Sequence, residues 1–173
     1  MAHLLLLPRV RRLNFAQKEE MTVQIYECVG EIYSKVAHVD QLLRKLAEFF
    51  EEDHEYRREG SEKDFVQEML KVSGQLEEVG ETVLTELNRY INVVKLFDYI
   101  NYNGTKRLIA IIQSEMPNRI VSPRRLAPFV GAKLTLADDA FTKVHRICSE
   151  MEKNKEKEQE EQEEEGEGSK ENQ

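Results

Sequence analysis

The sequence predicts an all-α protein: an elongated antiparallel helical bundle built on two long helices, with shorter C-terminal helices. Three observations predict it. Apolar residues recur at steps of three and four over two long stretches, turn-forming residues fall between those stretches, and charged residues make up 34% of the chain with no Trp. That much charge fits long, solvated helices better than a compact enzyme. At 173 residues the chain is long enough for one domain with a real core.

The first stretch is Ile25, Val29, Ile32, Val36, Val39, Leu43, Leu46 and Phe50, alternating steps of four and three, with Glu, Lys, Gln and Arg on the opposite face. Gly60 reads as its stop and Ser61 as the next N-cap. The second runs through Phe65, Met69, Val72, Leu76, Val79, Val83, Leu87, Tyr90, Val94 and Phe97. It has a small stutter at Val79–Val83–Leu87, and Gly74 and Gly80 weaken the helix by about 1 kcal/mol each. Two such seams joined by a short turn make an antiparallel hairpin.

Asn101-Tyr102-Asn103-Gly104 is a polar break. Beyond it a third element, Gly104 to Glu115, carries Leu108, Ile109, Ile111 and Ile112 and is expected to be buried. Pro117, Pro123 and Pro128 punctuate a loop, a short amphipathic piece spans Leu126 to Leu134, and a last helix carries Phe141, Val144, Ile147, Cys148 and Met151.

The organisation is a flexible or targeting-like start over residues 1–20, the bundle over 21–151, and an acidic disordered tail over 152–173. Of the net charge of −8, the tail supplies −6, with ten Glu against four Lys; the remainder has 23 acids against 21 bases and is close to neutral. A few turns of charged helix precede Gly166 and Gly168 in that tail. The start, MAHLLLLPRVRRLNF, fits a short transit peptide or a frayed terminus, and its apolar run is too short for a secretory segment. No run approaches the 18 or so apolar residues that span a bilayer. Cys28 and Cys148 read as reduced thiols of an intracellular protein, cytoplasmic or nuclear. The sequon Asn103-Gly104-Thr105 carries no weight without a secretion signal.

No metal, cofactor or catalytic pattern emerges: HExxH, CxxC, GxSxG, the P-loop and GxGxxG are all missing. Glu51, Glu52, Asp53 and Glu55 flank His54, but successive helical residues point in different directions, so this reads as a solvated face. Cys148 lies on an apolar face, where a packed thiol is expected rather than a nucleophile. The reading is non-enzymatic, with no cofactor.

The basic residues are a different matter. Between Asn101 and Leu134 stand six bases against one acid, Glu115. Lys106, Arg107, Arg119, Arg124 and Arg125 are the candidate anion-binding residues; the bland alternative is scattered surface arginine beside prolines. A basic pair near a helix start adds side-chain charge to unsatisfied backbone N–H groups. Nucleic acid is not expected as a partner, since the tail repels phosphates and no recognition-helix motif is present.

The segment Leu96-Phe97-Asp98-Tyr99-Ile100-Asn101-Tyr102-Asn103-Gly104-Thr105-Lys106-Arg107 resembles the end of the long helix of an SPX domain, with its Tyr, its Asn/Gly turn and a base in register. Arg125-Leu126-Ala127-Pro128-Phe129 and the helix closing at Met151 are similar to that family's continuation, and Leu43 to Arg58 to its upstream helix. Over residues 43–151 the resemblance implies a helical module that senses phosphate status by binding inositol pyrophosphates. The family's ligand-binding lysines fall on Ala110, Ile111, Gln113 and Ser114 here, which leaves Arg107 with Lys106 beside it. The family's N-terminal hairpin has no counterpart in residues 1–24.

Two functions follow as expectations. One is an SPX-like regulatory module taking an inositol polyphosphate at the basic helix start. The other is a structural coiled-coil adaptor that meets protein partners through its helical seams.

Overall fold

The computed structural model describes residues 14–59 and 62–171. The N-terminal segment read as flexible or targeting-like falls outside these residues as far as position 13, as do Gly60 and Ser61, read as stop and cap. The described chain is three helices with no strand: α1 (Phe15–Glu59), α2 (Glu62–Glu115) and α3 (Pro123–Glu171).

Asn14 starts α1. The Gln17 N–H donates to Asn14 Oδ1 at 2.8 Å and the Asn14 N–H donates to Gln17 Oε1 at 3.1 Å, a reciprocal cap that satisfies two N–H groups. From there α1 runs 45 residues, about 68 Å at 1.5 Å per residue. α2 comes back antiparallel, with Phe49 meeting Phe65 edge-on at 5.6 Å near the turn. α3 then runs parallel to α1: Tyr33 stacks on Phe129, Lys133 pairs with Asp40 at 2.9 Å, and Lys143 lies over Phe50. The result is an up-down-up helical bundle.

Heptad spacing builds the half of the core nearest the α1–α2 turn. Val39, Leu42 and Leu46 face Phe65, Met69, Val72, Leu76 and Val79, and α3 closes over them with Ala137, Ala140, Val144, Ile147 and Met151. Each large side chain buried this way contributes about 1.5–3 kcal/mol. Small residues let α3 approach closely. A Cβ added at Gly80 would stand 3.4 Å from Leu134 Cδ2, so the glycine expected only to weaken α2 also marks the helix–helix contact. The seam slips by one place, since Leu42 is buried whereas Leu43 and Phe50 are partly buried. Both line the groove between α1 and α3, which period alone does not distinguish from the core.

The expected loop is confined to residues 116–122, and from Pro123 onward the chain is one helix rather than a short piece and a last helix. Pro123 takes the first helical position behind Ser122, whose carbonyl accepts the Arg125 and Leu126 N–H groups at 3.1 and 2.8 Å. Pro128 sits in the second turn, where its missing N–H leaves only the carbonyl of exposed Arg124 to solvent. The apolar face of α3 ends at Met151, and the helix continues to Glu171 with every side chain from Glu152 to Glu167 exposed.

Candidate functional site

α2 is not one straight rod. Asn101 leaves helical geometry, with φ −157° and ψ 89°, and divides the helix into arms 62–100 and 102–115. Its side chain then caps the second arm: Oδ1 accepts the Gly104 N–H at 3.1 Å, and its carbonyl accepts the Thr105 hydroxyl at 3.0 Å. Gly104 belongs to this cap, because a Cβ there would lie 3.1 Å from the Asn101 side-chain amide. The break expected over Asn101–Gly104 is therefore made by Asn101, and the third element begins at position 102.

The contacts show that this break turns the chain back on itself. Cys28 of α1 lies close enough to Arg89 and Glu86 to feel their charges, and Tyr26, two residues earlier, donates its hydroxyl to Glu115. In a continuous helix Glu115 would stand about 39 Å beyond Arg89. The returning arm brings Ile112 into the core together with Ile25, Val29, Tyr90 and Val94.

Hydrogen bonds between side chains and backbone lock this reversal end. Tyr90, fully buried, donates to the Val121 carbonyl at 2.7 Å; burial, with a smaller push from Cys28, raises its phenol far above the ordinary value and keeps it a donor. The Tyr33 hydroxyl accepts the Ile120 N–H, and Gln113 accepts the Val121 N–H at 2.9 Å while donating to the Met116 carbonyl at 3.1 Å. Three side chains thus replace the ladder that the 116–122 connection lacks. Among the described residues no buried side-chain polar atom lacks a partner.

The reversal creates a cleft of about 310 Å³ between the two arms and the start of α3. Its apolar floor includes Ile91, Val94 and Ile109; its polar rim is Lys95, Asp98, Tyr102, Lys106, Ser122 and Arg124. Three cations from three segments therefore line one cleft beside the first turn of α3, whose positive helix-dipole end adds to their charge. The Lys106 ammonium also lies 5.9 Å from the centre of the Tyr102 ring. Burial pushes the Asp98 carboxyl above the usual carboxylate range, opposed by the nearby Thr105 hydroxyl.

Of the five candidate residues, the structure brings Lys106 and Arg124 into this cleft. Arg107 and Arg125, one position on in each helix, are exposed and do not line it, since a helical step turns a side chain by 100°. Arg119, exposed in the 116–122 connection, holds its guanidinium 5.2 Å from the Tyr33 ring centre and does not line the cleft. Lys95 was not a candidate. The signal for it is symmetry about the reversal: Lys95 and Lys106 lie six positions before and five after Asn101.

Among the described residues no group of three or more His, Cys, Asp or Glu is placed to hold a metal ion, and no helix is long and apolar enough to cross a membrane. Both thiols are raised above their ordinary range, chiefly by burial. Fold and cleft together define an antiparallel helical bundle with a cation-lined pocket at one end. No family model, curated protein or solved structure matches the chain.

Proposed function

We propose that the chain is a non-enzymatic helical regulatory module that binds a phosphate-rich anion, of the inositol polyphosphate class, in the cleft at the reversal of α2. The observation that carries this reading is the meeting of Lys95, Lys106 and Arg124 with the start of α3. Each charge-assisted contact to a phosphate oxygen contributes about 1.5–3 kcal/mol, and micromolar binding, about −8 kcal/mol, lies at the upper end of what three such contacts supply. The SPX resemblance points to the same ligand class, although here the charge lies on Lys95, Lys106 and Arg124 rather than on a lysine-rich second arm.

Calorimetric titration with inositol hexakisphosphate at physiological salt tests the reading. Binding is expected to fall at least tenfold in Lys106→Ala and in Arg124→Ala, and to change little in Arg107→Ala. Equal losses at all three positions would indicate diffuse attraction instead of a site; no binding by the parent chain removes the reading.

The structural adaptor is favoured by a different observation. A groove between α2 and α3, lined by Leu84, Leu134 and Phe141 and edged by Glu77, Glu81 and Asp138, follows the helices along the bundle. A second, lined by Val66, Leu70, Cys148 and Met151, lies on the same pair of helices nearer the α1–α2 turn. Such grooves accept a further helix. Light scattering of the purified chain that shows only a monomer, with no assembly at high concentration, counts against this reading.

A further inference from the structure

The outer surface of the reversal is apolar in a way that the bundle does not need. Leu96 is 63% exposed, Tyr99 68% and Tyr102 60%. Leu96 and Tyr99 are three apart on the first arm and so share a face, and Tyr102 follows just past the break. None of the three belongs to the core or packs against it. They crowd the end of an elongated bundle beside the cleft cations Lys95, Lys106 and Arg124, with Arg107 and Arg125 also exposed on the two elements that form it.

Charge is segregated along the molecule in the same sense. The exposed acidic stretch Glu152–Glu167 lies beyond Met151, and Met151 packs with Phe65 at the other end of the bundle. A rod with a basic, aromatic tip and an acidic opposite end is electrostatically oriented before an anionic surface.

We propose that the reversal of α2 is a membrane-docking tip: Leu96, Tyr99 and Tyr102 enter the interfacial layer of an anionic bilayer while Lys95, Lys106 and Arg124 take a lipid-borne phosphate. This rests on the anion-binding reading of the cleft and names the ligand's source. A free polyanion would be held by the cations and gain nothing from the exposed apolar residues. A headgroup in a bilayer uses both, since tyrosine rings settle at the level of the headgroups and leucine reaches the acyl boundary. No span is required; the helix ends rest in the interface.

The test is co-sedimentation of the full chain with phosphatidylcholine vesicles, plain or carrying phosphatidylinositol bisphosphate, beside calorimetry with free inositol hexakisphosphate. The parent chain is expected to sediment with the charged vesicles and not with the plain ones. The double variant Leu96→Ser, Tyr99→Ser changes only exposed positions that do not line the cleft; it should lose vesicle binding at least tenfold while its heat with the free polyanion is unchanged. Lys106→Ala with Arg124→Ala should lose both. Vesicle binding that survives the double variant overturns the docking tip, as does equal sedimentation with plain vesicles. If the free polyanion binds and no vesicle does, the tip falls and the anion cleft stands; if neither binds, both fall.

Discussion

The two ends of the bundle are held together by different physics. Near the α1–α2 turn the core is heptad apolar packing, with Phe65, Met69, Leu76 and Leu46 fully or almost fully buried and α3 offering small alanines. At the reversal end the same kind of core continues through Ile25, Ile32 and Tyr90. There, however, the chain also breaks, returns and is fastened by Tyr33, Tyr90 and Gln113 to the backbone of the 113–121 stretch. The regular end supplies length and stability. The irregular end gathers cations and exposes aromatics, and chemistry is concentrated there because departures from the repeat leave helix starts and side chains uncovered.

The contrast can be attacked first at the regular end. Phe65→Ala removes a fully packed ring and is expected to cost about 3–5 kcal/mol, read as a shift in the urea midpoint. Since α1 contributes to both core clusters, helix signal and tyrosine signal should be lost in one transition. Two separate transitions would mean that the ends are independent units.

At the reversal end the expected losses are smaller and come from polar groups. Tyr90→Phe keeps the ring and leaves the Val121 carbonyl without its donor, a cost of about 1–3 kcal/mol in the same denaturation measurement. Asn101→Ala should cost about 1 kcal/mol through the lost cap. Gly104→Ala sharpens the point: it should help stability, by up to about 1 kcal/mol, only when Asn101 is already Ala, because the added Cβ crowds the Asn101 amide. Additive effects of the two substitutions would separate Gly104 from the cap.

Asp98 gives the smallest effect and the only one that depends on pH. Its folded pKa is raised, so the stability associated with its neutral form is present below the unfolded pKa and is lost as pH rises through the folded value. Neutralising it also removes the one acid from the rim of the cleft. Affinity for inositol hexakisphosphate should therefore rise as pH falls through that raised pKa, and Asp98→Asn should show about two- to fivefold tighter binding near neutrality without that component of the pH dependence.

Much of the fold was legible in the sequence because packing obeys a period. The seam of α2 from Phe65 to Phe97 is buried at every position read from the spacing, and that of α1 differs where Leu42 and Leu43 compete for one place and at Phe50, which is only partly buried. α3 was read in pieces because prolines ordinarily end helices; Pro123 starts one and Pro128 is absorbed in its second turn. The cleft was only half legible. Lys106 and Arg124 stood out by local charge, but Lys95 belongs to a long helix whose pattern says nothing about a returning arm. Asn101 was visible as a polar break, yet a break alone does not distinguish a bend from a reversal. That decision is made by contacts remote in sequence, Tyr26 with Glu115 and Tyr90 with Val121.

The reversal at Asn101 is the claim on which the cleft and the docking tip both stand, and a distance measures it. Spin labels placed at Arg89 and Ser114, with Cys148 changed to Ser and buried Cys28 left in place, report the separation by pulsed electron resonance. Packed arms predict a distance under about 20 Å, set by the 8–10 Å spacing of neighbouring helices plus the label arms. A distribution centred near 38 Å, the length of about 25 residues of continuous helix, would contradict the reversal and disperse the cations that the cleft requires.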